Sequence, residues 1–76
     1  MNDSSDSIKR DEEIYKILNE VYVALKEKGY DPISQFKGYI ISGDLGYISN
    51  YKKSRNKIGK LDRGELIEVL LKSYLK

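Results

Sequence analysis

The sequence contains no cysteine, no histidine and no tryptophan, and it contains a single proline. Without cysteine the chain forms neither disulfides nor thiolate metal sites. Without histidine it has no imidazole ligands and no Ser-His or Cys-His catalytic pair. A chain this short buries only about 60% of the surface that its unfolded form exposes, so it needs additional stabilisation. Packing and self-association remain available, and we therefore expect a homodimer.

Long apolar runs are also missing from the sequence. No stretch is long enough to cross a membrane, which predicts no membrane insertion. The N-terminus is polar and acidic and lacks the apolar segment of a signal peptide. These features predict one cytoplasmic domain.

Charge is unevenly distributed along the chain, although the net charge is only +2. Residues 1–13 hold five acids and two bases, a net charge of −3. Residues 52–63 hold six bases and one acid, a net charge of +5. The chain is thus acidic at its start and basic beyond its middle.

The apolar pattern is helical and predicts two regions. Residues 1–10 are too polar to offset their ordering entropy, which predicts a flexible acidic tail. Residues 11–76 then form a single helical domain. Its first helix is predicted from about Asp11 to Lys28 by one apolar stripe at helical period, which consists of Ile14, Ile17, Leu18, Val21, Tyr22 and Leu25.

Capping signals divide the rest of the domain. Asp31-Pro32 predicts the start of a second helix that ends at Ser42-Gly43. Residues 44–48 are ambiguous: Asp44 could cap a single turn, and Ser49 could cap a third helix across about residues 50–61. A capping box over residues 62–65 begins the last helix.

The last helix has an apolar stripe too wide for one partner helix to cover, which indicates a second contact surface, either internal or across a dimer. No strand pattern competes. We therefore expect an all-α fold: a compact homodimeric bundle of four to five short helices.

Six basic residues could form a surface that docks a partner. Such a segment binds an acidic protein, a phosphate or a nucleic-acid backbone, and its arginines can bind carboxylates with two hydrogen bonds. The alternative is an ordinary solvated face. The residues are Lys52, Lys53, Arg55, Lys57, Lys60 and Arg63.

Three other features each have two interpretations. The seven tyrosines form either a binding surface or parts of the core and dimer interface. Ser4, Ser5 and Ser7 are either phosphorylation sites, where phosphate would oppose the basic segment in charge, or parts of an ordinary polar terminus. Asp44 within Ser-Gly-Asp is either an acid catalyst or a turn with a helix cap, and we favour the turn. No cofactor or metal motif is present, so the sequence disfavours an enzyme.

A helix-turn-helix DNA-binding regulator is the alternative function, because small, helical, locally basic dimers often bind DNA. The basic segment lacks the Gln, Thr and additional Arg that are typical of base recognition. Asn50 and Asn56 are its remaining candidates for base contacts.

About residues 18–75 resemble the IreB/ReoM/YrzL family of small Gram-positive bacterial proteins. The matches occur in order along the chain and are dense. They are Glu27-Lys28-Gly29-Tyr30, Pro32, Gln35, Gly38-Tyr39, Ser42-Gly43-Asp44, Tyr47-Ile48, Arg55 and Tyr74-Leu75.

The resemblance implies a helical homodimer without enzyme activity. Family members are substrates of a membrane Ser/Thr kinase that senses the cell wall, and they influence peptidoglycan synthesis and antibiotic resistance. Some promote turnover of a peptidoglycan-synthesis enzyme by the Clp protease. The implied partners are therefore the kinase and an acidic protein or protease adaptor. Arginines of the basic region matter in the family, and Arg55 and Arg63 stand at matching positions.

This sequence departs from the family pattern at several positions. The family's tail usually carries phosphorylated threonine, and this chain has no threonine at all. Leu45 replaces a proline and Ser54 an alanine, while Gly59 replaces a basic residue and Gly64 an acidic one. The last two changes reduce the charge available to a docking surface.

Overall fold

The computed structural model describes the backbone of residues 4–75 and the side chains of residues 8–75. Four α-helices lie in the order α1 (Ser4–Glu27), α2 (Pro32–Ser42), α3 (Ser54–Gly59) and α4 (Arg63–Tyr74). Two short 3₁₀ turns, Leu45–Tyr47 and Tyr51–Lys53, join α2 to α3. No strand occurs in the described residues, and the predicted all-α class is confirmed.

Helix α1 is the longest element and begins earlier than predicted. Its 24 residues start at Ser4, seven positions before the predicted start at Asp11. At 1.5 Å per residue such a helix is about 36 Å long, which accounts for most of the molecule's 42 Å long axis. The sequence pattern missed this extension because residues 4–10 carry one large apolar side chain. Whether the first ten residues are flexible remains a prediction, and residues 1–3 lie outside the described range.

Helix α2 has the predicted boundaries. Asp31 Oδ1 accepts a hydrogen bond from the Ile33 amide at 3.1 Å, and Pro32 occupies the first turn. Gly43 ends the helix in the left-handed conformation, at φ 75°, and its N–H donates to Tyr39 O at 2.7 Å. The start and the end of α2 therefore agree with those predicted from the sequence.

The predicted third helix over residues 50–61 is wrong as a single element. Lys52 and Lys53 adopt left-handed conformations, at φ 55° and 61°, and these break the helix. Both residues lie within the 3₁₀ turn Tyr51–Lys53, and α3 begins directly after it at Ser54. Ile48 and Ile58, on either side, are both fully buried. Burial of both apolar side chains outweighs the local cost of the break, a tertiary effect that propensity does not encode.

Helix α4 begins with half of the predicted capping box. Asp62 Oδ2 accepts a hydrogen bond from the Glu65 amide at 3.1 Å, as expected. The reciprocal half is replaced, because the Glu65 carboxylate pairs with Arg10 of α1 at 2.7 Å. The N-cap thus also orients a residue that joins two helices.

The core lies where α1 packs against the other elements. Ile14, Leu18, Val21 and Leu25 of the predicted stripe are buried together with Ala24, whereas Ile17 is partly buried and Tyr22, also in the stripe, is 40% exposed. The remaining core side chains come from α2, α3, α4 and the segments between them, and they are Tyr39, Ile48, Ile58, Leu61, Leu66 and Val69. Burying each large aliphatic side chain contributes about 1.5–3 kcal/mol, so this small set provides most of the stabilisation.

Candidate docking surface and the connector between α2 and α3

The six basic residues fall into three groups in the structure. Lys52 pairs with Glu27 at 3.0 Å and Lys57 pairs with Glu20 at 3.3 Å, so both attach to α1. The hydrogen bond to Glu27 raises the pKa of Lys52. These are solvent-exposed ion pairs, which are weak in general. The two lysines therefore face carboxylates of their own chain.

Arg55 holds the connector, by which we mean residues 43–50 between α2 and the second 3₁₀ turn. Its Nε donates to Ile48 O at 2.7 Å and to Leu45 O at 3.2 Å. Its two terminal NH₂ groups make no hydrogen bond with residues 8–75. The side chain is thus fixed at one end and available at the other.

Arg63 holds the other side of the connector. Its Nη1 donates to Ile40 O at 2.9 Å, one of the carbonyls left unpaired at the C-terminus of α2. The guanidinium lies against Gly43, where an added Cβ would be 2.8 Å from Cζ. Glycine at this position therefore allows both the left-handed backbone conformation and the close approach of Arg63.

Lys53 and Lys60 form the third group. Both are exposed, and neither forms an ion pair with a carboxylate of residues 8–75. The same holds for Arg55 and Arg63. Four of the six predicted docking residues therefore retain positive charge without an acidic partner in the described part of the chain.

The neighbouring acids serve as caps. Asp44 Oδ1 accepts from the Gly46 amide at 2.8 Å and starts the first 3₁₀ turn, which is the turn interpretation of Ser-Gly-Asp. Ser42 Oγ donates to Gly38 O and accepts from the Asp44 amide. Asp62 caps α4 in the same way. Neither aspartate lies within ion-pair distance of the two arginines.

Gln35, Gly38 and Tyr47, three of the residues that carry the family resemblance, join α2 to the connector. Gln35 Nε2 donates to Tyr47 O at 2.7 Å. The Tyr47 ring lies against Gly38, where any Cβ would overlap it. Pro32 and Tyr39 are buried, and Tyr30 lies exposed before the helix. These contacts hold the connector against α2.

Three contacts join the first part of α1 to α4. Arg10 donates through Nη2 and Nε to the two Glu65 carboxylate oxygens, at 2.7 and 3.4 Å. Lys72 pairs with Asp11 at 2.9 Å, and the Tyr15 hydroxyl hydrogen-bonds Ser73. The partner carboxylates raise the pKa of Arg10 and of Lys72. Sequence reasoning missed this set, because no local pattern signals pairs more than 50 residues apart.

Every serine from position 34 onward forms a hydrogen bond within the fold. Ser34 bonds Asp31, Ser42 bonds Gly38 O, and Ser49 accepts from the Tyr51 amide. Ser54 is buried and bonds Tyr51 O, and Ser73 bonds Val69 O. Ser4, Ser5 and Ser7 lie in the first turns of α1, and their side chains are outside the described set.

An apolar groove of about 510 Å³ opens between α1, α2 and α4. Toward the C-terminus of α4 and directly after it, Leu71 is 52%, Tyr74 86% and Leu75 65% exposed. The predicted excess of apolar surface on α4 is therefore present, and α2 adds to it. The apolar side chains that line the groove include Leu18, Tyr22, Ile33, Phe36, Ile41 and Leu70.

Tyrosine has a core role at one position. Tyr39 is 5% exposed, whereas the other six tyrosines are at least 37% exposed. Two ammonium groups lie over the Tyr51 ring, with Lys28 Nζ 5.2 Å and Lys52 Nζ 5.4 Å from its centre. The tyrosines are therefore mainly surface residues in one copy of the chain.

The described residues contain neither a cluster of metal-ligating side chains nor a membrane span. No group of three His, Asp or Glu side chains is placed there to hold a metal ion. No described helix has the length and apolarity that crossing a bilayer requires.

The fold, the apolar groove and the exposed basic residues together define a small helical protein with surfaces available for contacts. The family model named IreB regulatory phosphoprotein matches residues 3–76. The chain belongs to this family, as the resemblance over residues 18–75 predicts. The family is one of regulatory phosphoproteins and not of enzymes.

Proposed function

We propose that the protein is a non-enzymatic, cytoplasmic regulator that works through protein–protein contacts and is phosphorylated near its N-terminus. The family match carries this proposal. The resemblance adds a Ser/Thr kinase as the modifying enzyme and peptidoglycan synthesis or antibiotic resistance as the regulated process.

Every serine from position 34 onward already forms a hydrogen bond within the fold, which favours Ser4, Ser5 or Ser7 as the phosphorylation site. Phosphorylation of a serine that is buried or that caps a turn would break a hydrogen bond of the fold. The family's usual threonine is absent, and the three N-terminal serines precede every serine that the fold uses. A phosphate in the first turn of α1 is also favoured by the helix dipole.

Incubation with the Ser/Thr kinase domain from the native host tests this assignment. Mass spectrometry should place phosphate within residues 4–7, and the triple variant Ser4→Ala, Ser5→Ala, Ser7→Ala should remain unmodified. The double variant Ser34→Ala, Ser42→Ala serves as the matched control and should be phosphorylated normally. Modification confined to residues after 33 would contradict the proposal.

We also propose a homodimer in which a second copy covers the apolar groove. Leu70 of α4 lines the groove, and Leu71, Tyr74 and Leu75, which follow it in the sequence, are exposed apolar side chains. Monomers rarely expose large contiguous apolar patches, and such patches usually mark interaction sites. A two-fold dimer lets each copy present the same patch to the other. The docking of an acidic protein at the basic segment is the third part of this proposal.

A further inference from the structure

Two hydrogen-bond donors compete for the Glu65 carboxylate. Arg10 donates to it through Nη2 and Nε, at 2.7 and 3.4 Å. Glu65 is also the third residue of α4, where a glutamate in a capping box accepts a hydrogen bond from the amide of the N-cap residue. That amide belongs to Asp62, and it donates to no acceptor among residues 8–75. The pair with Arg10 therefore keeps Glu65 from completing the cap of its own helix.

The pair of Arg10 and Glu65 is accessible to a competing anion. The two side chains are 43% and 41% exposed, so neither has to leave the core to change its partner. Ion pairs at such exposed sites are weak in general. The other half of the capping box is already formed, since Asp62 Oδ2 accepts from the Glu65 amide at 3.1 Å. Loss of Arg10 would thus leave the Glu65 carboxylate with a donor close in sequence.

Ser7 differs from the other two N-terminal serines in its position along α1. Arg10 and Asp11 follow Ser7 by three and four residues in the same helix, which makes them its neighbours on the helix surface. Both belong to the ion pairs that join α1 to α4. Ser4 and Ser5 have neither of these residues at three or four positions. Phosphate on Ser7, and not on the other two serines, is therefore placed to act on the contact between α1 and α4.

We propose that a phosphate on Ser7 takes Arg10 from Glu65. The released carboxylate then accepts from the Asp62 amide and completes the capping box of α4. A phosphoserine carries a charge of about −1.5 to −2 and binds a guanidinium group through two hydrogen bonds, so it outcompetes a single carboxylate. The same phosphate repels Asp11, which weakens the pair of Asp11 with Lys72. This inference rests on the proposed function and specifies what the modification changes within the fold.

NMR of the full chain, synthesised chemically with phosphoserine at one chosen position, tests the exchange of partners. With phosphoserine at position 7, the Arg10 Nε–H resonance should shift, and hydrogen exchange of the Asp62 amide should slow about fivefold because the amide gains an acceptor. Phosphoserine at position 5 is the matched control, and it should leave both signals as they are in the unmodified chain. Unchanged signals with phosphate at position 7, or equal changes with phosphate at position 5, would overturn the proposal.

A conservative substitution tests the role of Glu65 without phosphate. Glutamine also serves at this position of a capping box, but without a charge it holds Arg10 less strongly. In unmodified Glu65→Gln the Asp62 amide should therefore already exchange slowly, and phosphoserine at position 7 should change its rate less than about twofold. Glu68→Gln removes the same charge from α4 outside the ion pairs of residues 8–75, and it should respond to phosphate as the wild type does. Equal behaviour of the two variants would overturn the proposed exchange.

The synthetic chain separates this inference from the proposed function. Its phosphate is installed chemically, so the NMR result does not depend on whether a kinase modifies the protein. A chain with phosphate at position 7 that keeps Arg10 on Glu65 would overturn the exchange and leave the regulatory phosphoprotein proposal standing. Absence of phosphate on the native protein would instead contradict the proposed function.

Discussion

Arg63 occupies the space in which a side chain at Gly43 would begin. An added Cβ would lie 2.8 Å from Arg63 Cζ, and the same guanidinium donates to Ile40 O at 2.9 Å. Through this contact the first residue of α4 fastens the C-terminus of α2. Residues selected from sequence as docking groups thus also hold the fold together.

Replacing Gly43 by alanine should destabilise the protein. The left-handed backbone at φ 75° and the overlap with Arg63 together should lower the unfolding free energy by about 1–3 kcal/mol in urea denaturation. Gly59→Ala is the matched control, because a Cβ there meets Leu45 Cδ1 at an ordinary 3.6 Å. The control should be neutral or stabilising by about 0.5–1 kcal/mol. Equal effects at both positions would refute the close-contact account.

Replacing Lys53 by glycine should stabilise the protein. Its φ of 61° is costly for a side chain with Cβ, and glycine removes that cost. We expect a gain of about 0.5–1 kcal/mol in unfolding free energy after the entropy of the unfolded glycine is counted. Lys60→Gly, at φ −79°, should instead lose stability. A loss at both positions would show that the helix break is not strained.

Removing the Arg55 side chain should loosen the connector. In Arg55→Ala the carbonyls of Leu45 and Ile48 lose their donor, and stability should fall by about 1 kcal/mol. Hydrogen exchange of the amides of residues 45–48 should accelerate, whereas Lys60→Ala should leave it unchanged. Unaltered exchange in Arg55→Ala would mean that the arginine does not hold the connector.

The pair Lys72–Asp11 should make stability fall at alkaline pH. Because the pair raises the pKa of Lys72 above 10.5, its stabilisation is complete below the unfolded pKa and is lost as pH rises through the raised folded value. Lys72→Met should therefore lose less stability between pH 9.5 and about 11.5 than the wild type does. Lys16→Met is the control, since Lys16 forms no ion pair within residues 8–75. Parallel pH curves for wild type and Lys72→Met would exclude the contribution.

Sedimentation equilibrium should reveal the dimer and its surface. Ile41 lines the groove and is 76% exposed, and Ile41→Glu should shift the protein toward monomer by placing a charge in the apolar interface. Val23→Glu, at a 48% exposed site on α1 outside the groove, should leave association unchanged. A monomeric wild type, or equal effects of the two variants, would contradict the proposed interface.

Local signals predicted much of the fold. The caps at Asp31 and Asp62 and the left-handed stop at Gly43 depend on residues close in sequence, so the boundaries of α2 and the start of α4 were correct. The break at Lys52 and Lys53 depends on burying Ile48 and Ile58 together, which no local pattern reports. The early start of α1 likewise has no apolar signal in the sequence.

The candidate site was predicted by residue type but not by geometry. The sequence identified all six basic residues, yet it gave no sign that Glu20 and Glu27 pair with two of them. The carbonyl contacts of Arg55 and Arg63 were equally invisible, because their acceptors are backbone groups that every residue carries. Tertiary structure therefore decided which charges remain available.

The central claim is that this chain is a regulatory phosphoprotein modified on its N-terminal serines. It is tested most directly by mapping phosphate on the protein isolated from its native cells by tandem mass spectrometry. The account predicts phosphate on Ser4, Ser5 or Ser7 and none on Ser34, Ser42, Ser49, Ser54 or Ser73. Protein without phosphate under conditions that activate the kinase, or phosphate only on the later serines, would contradict it.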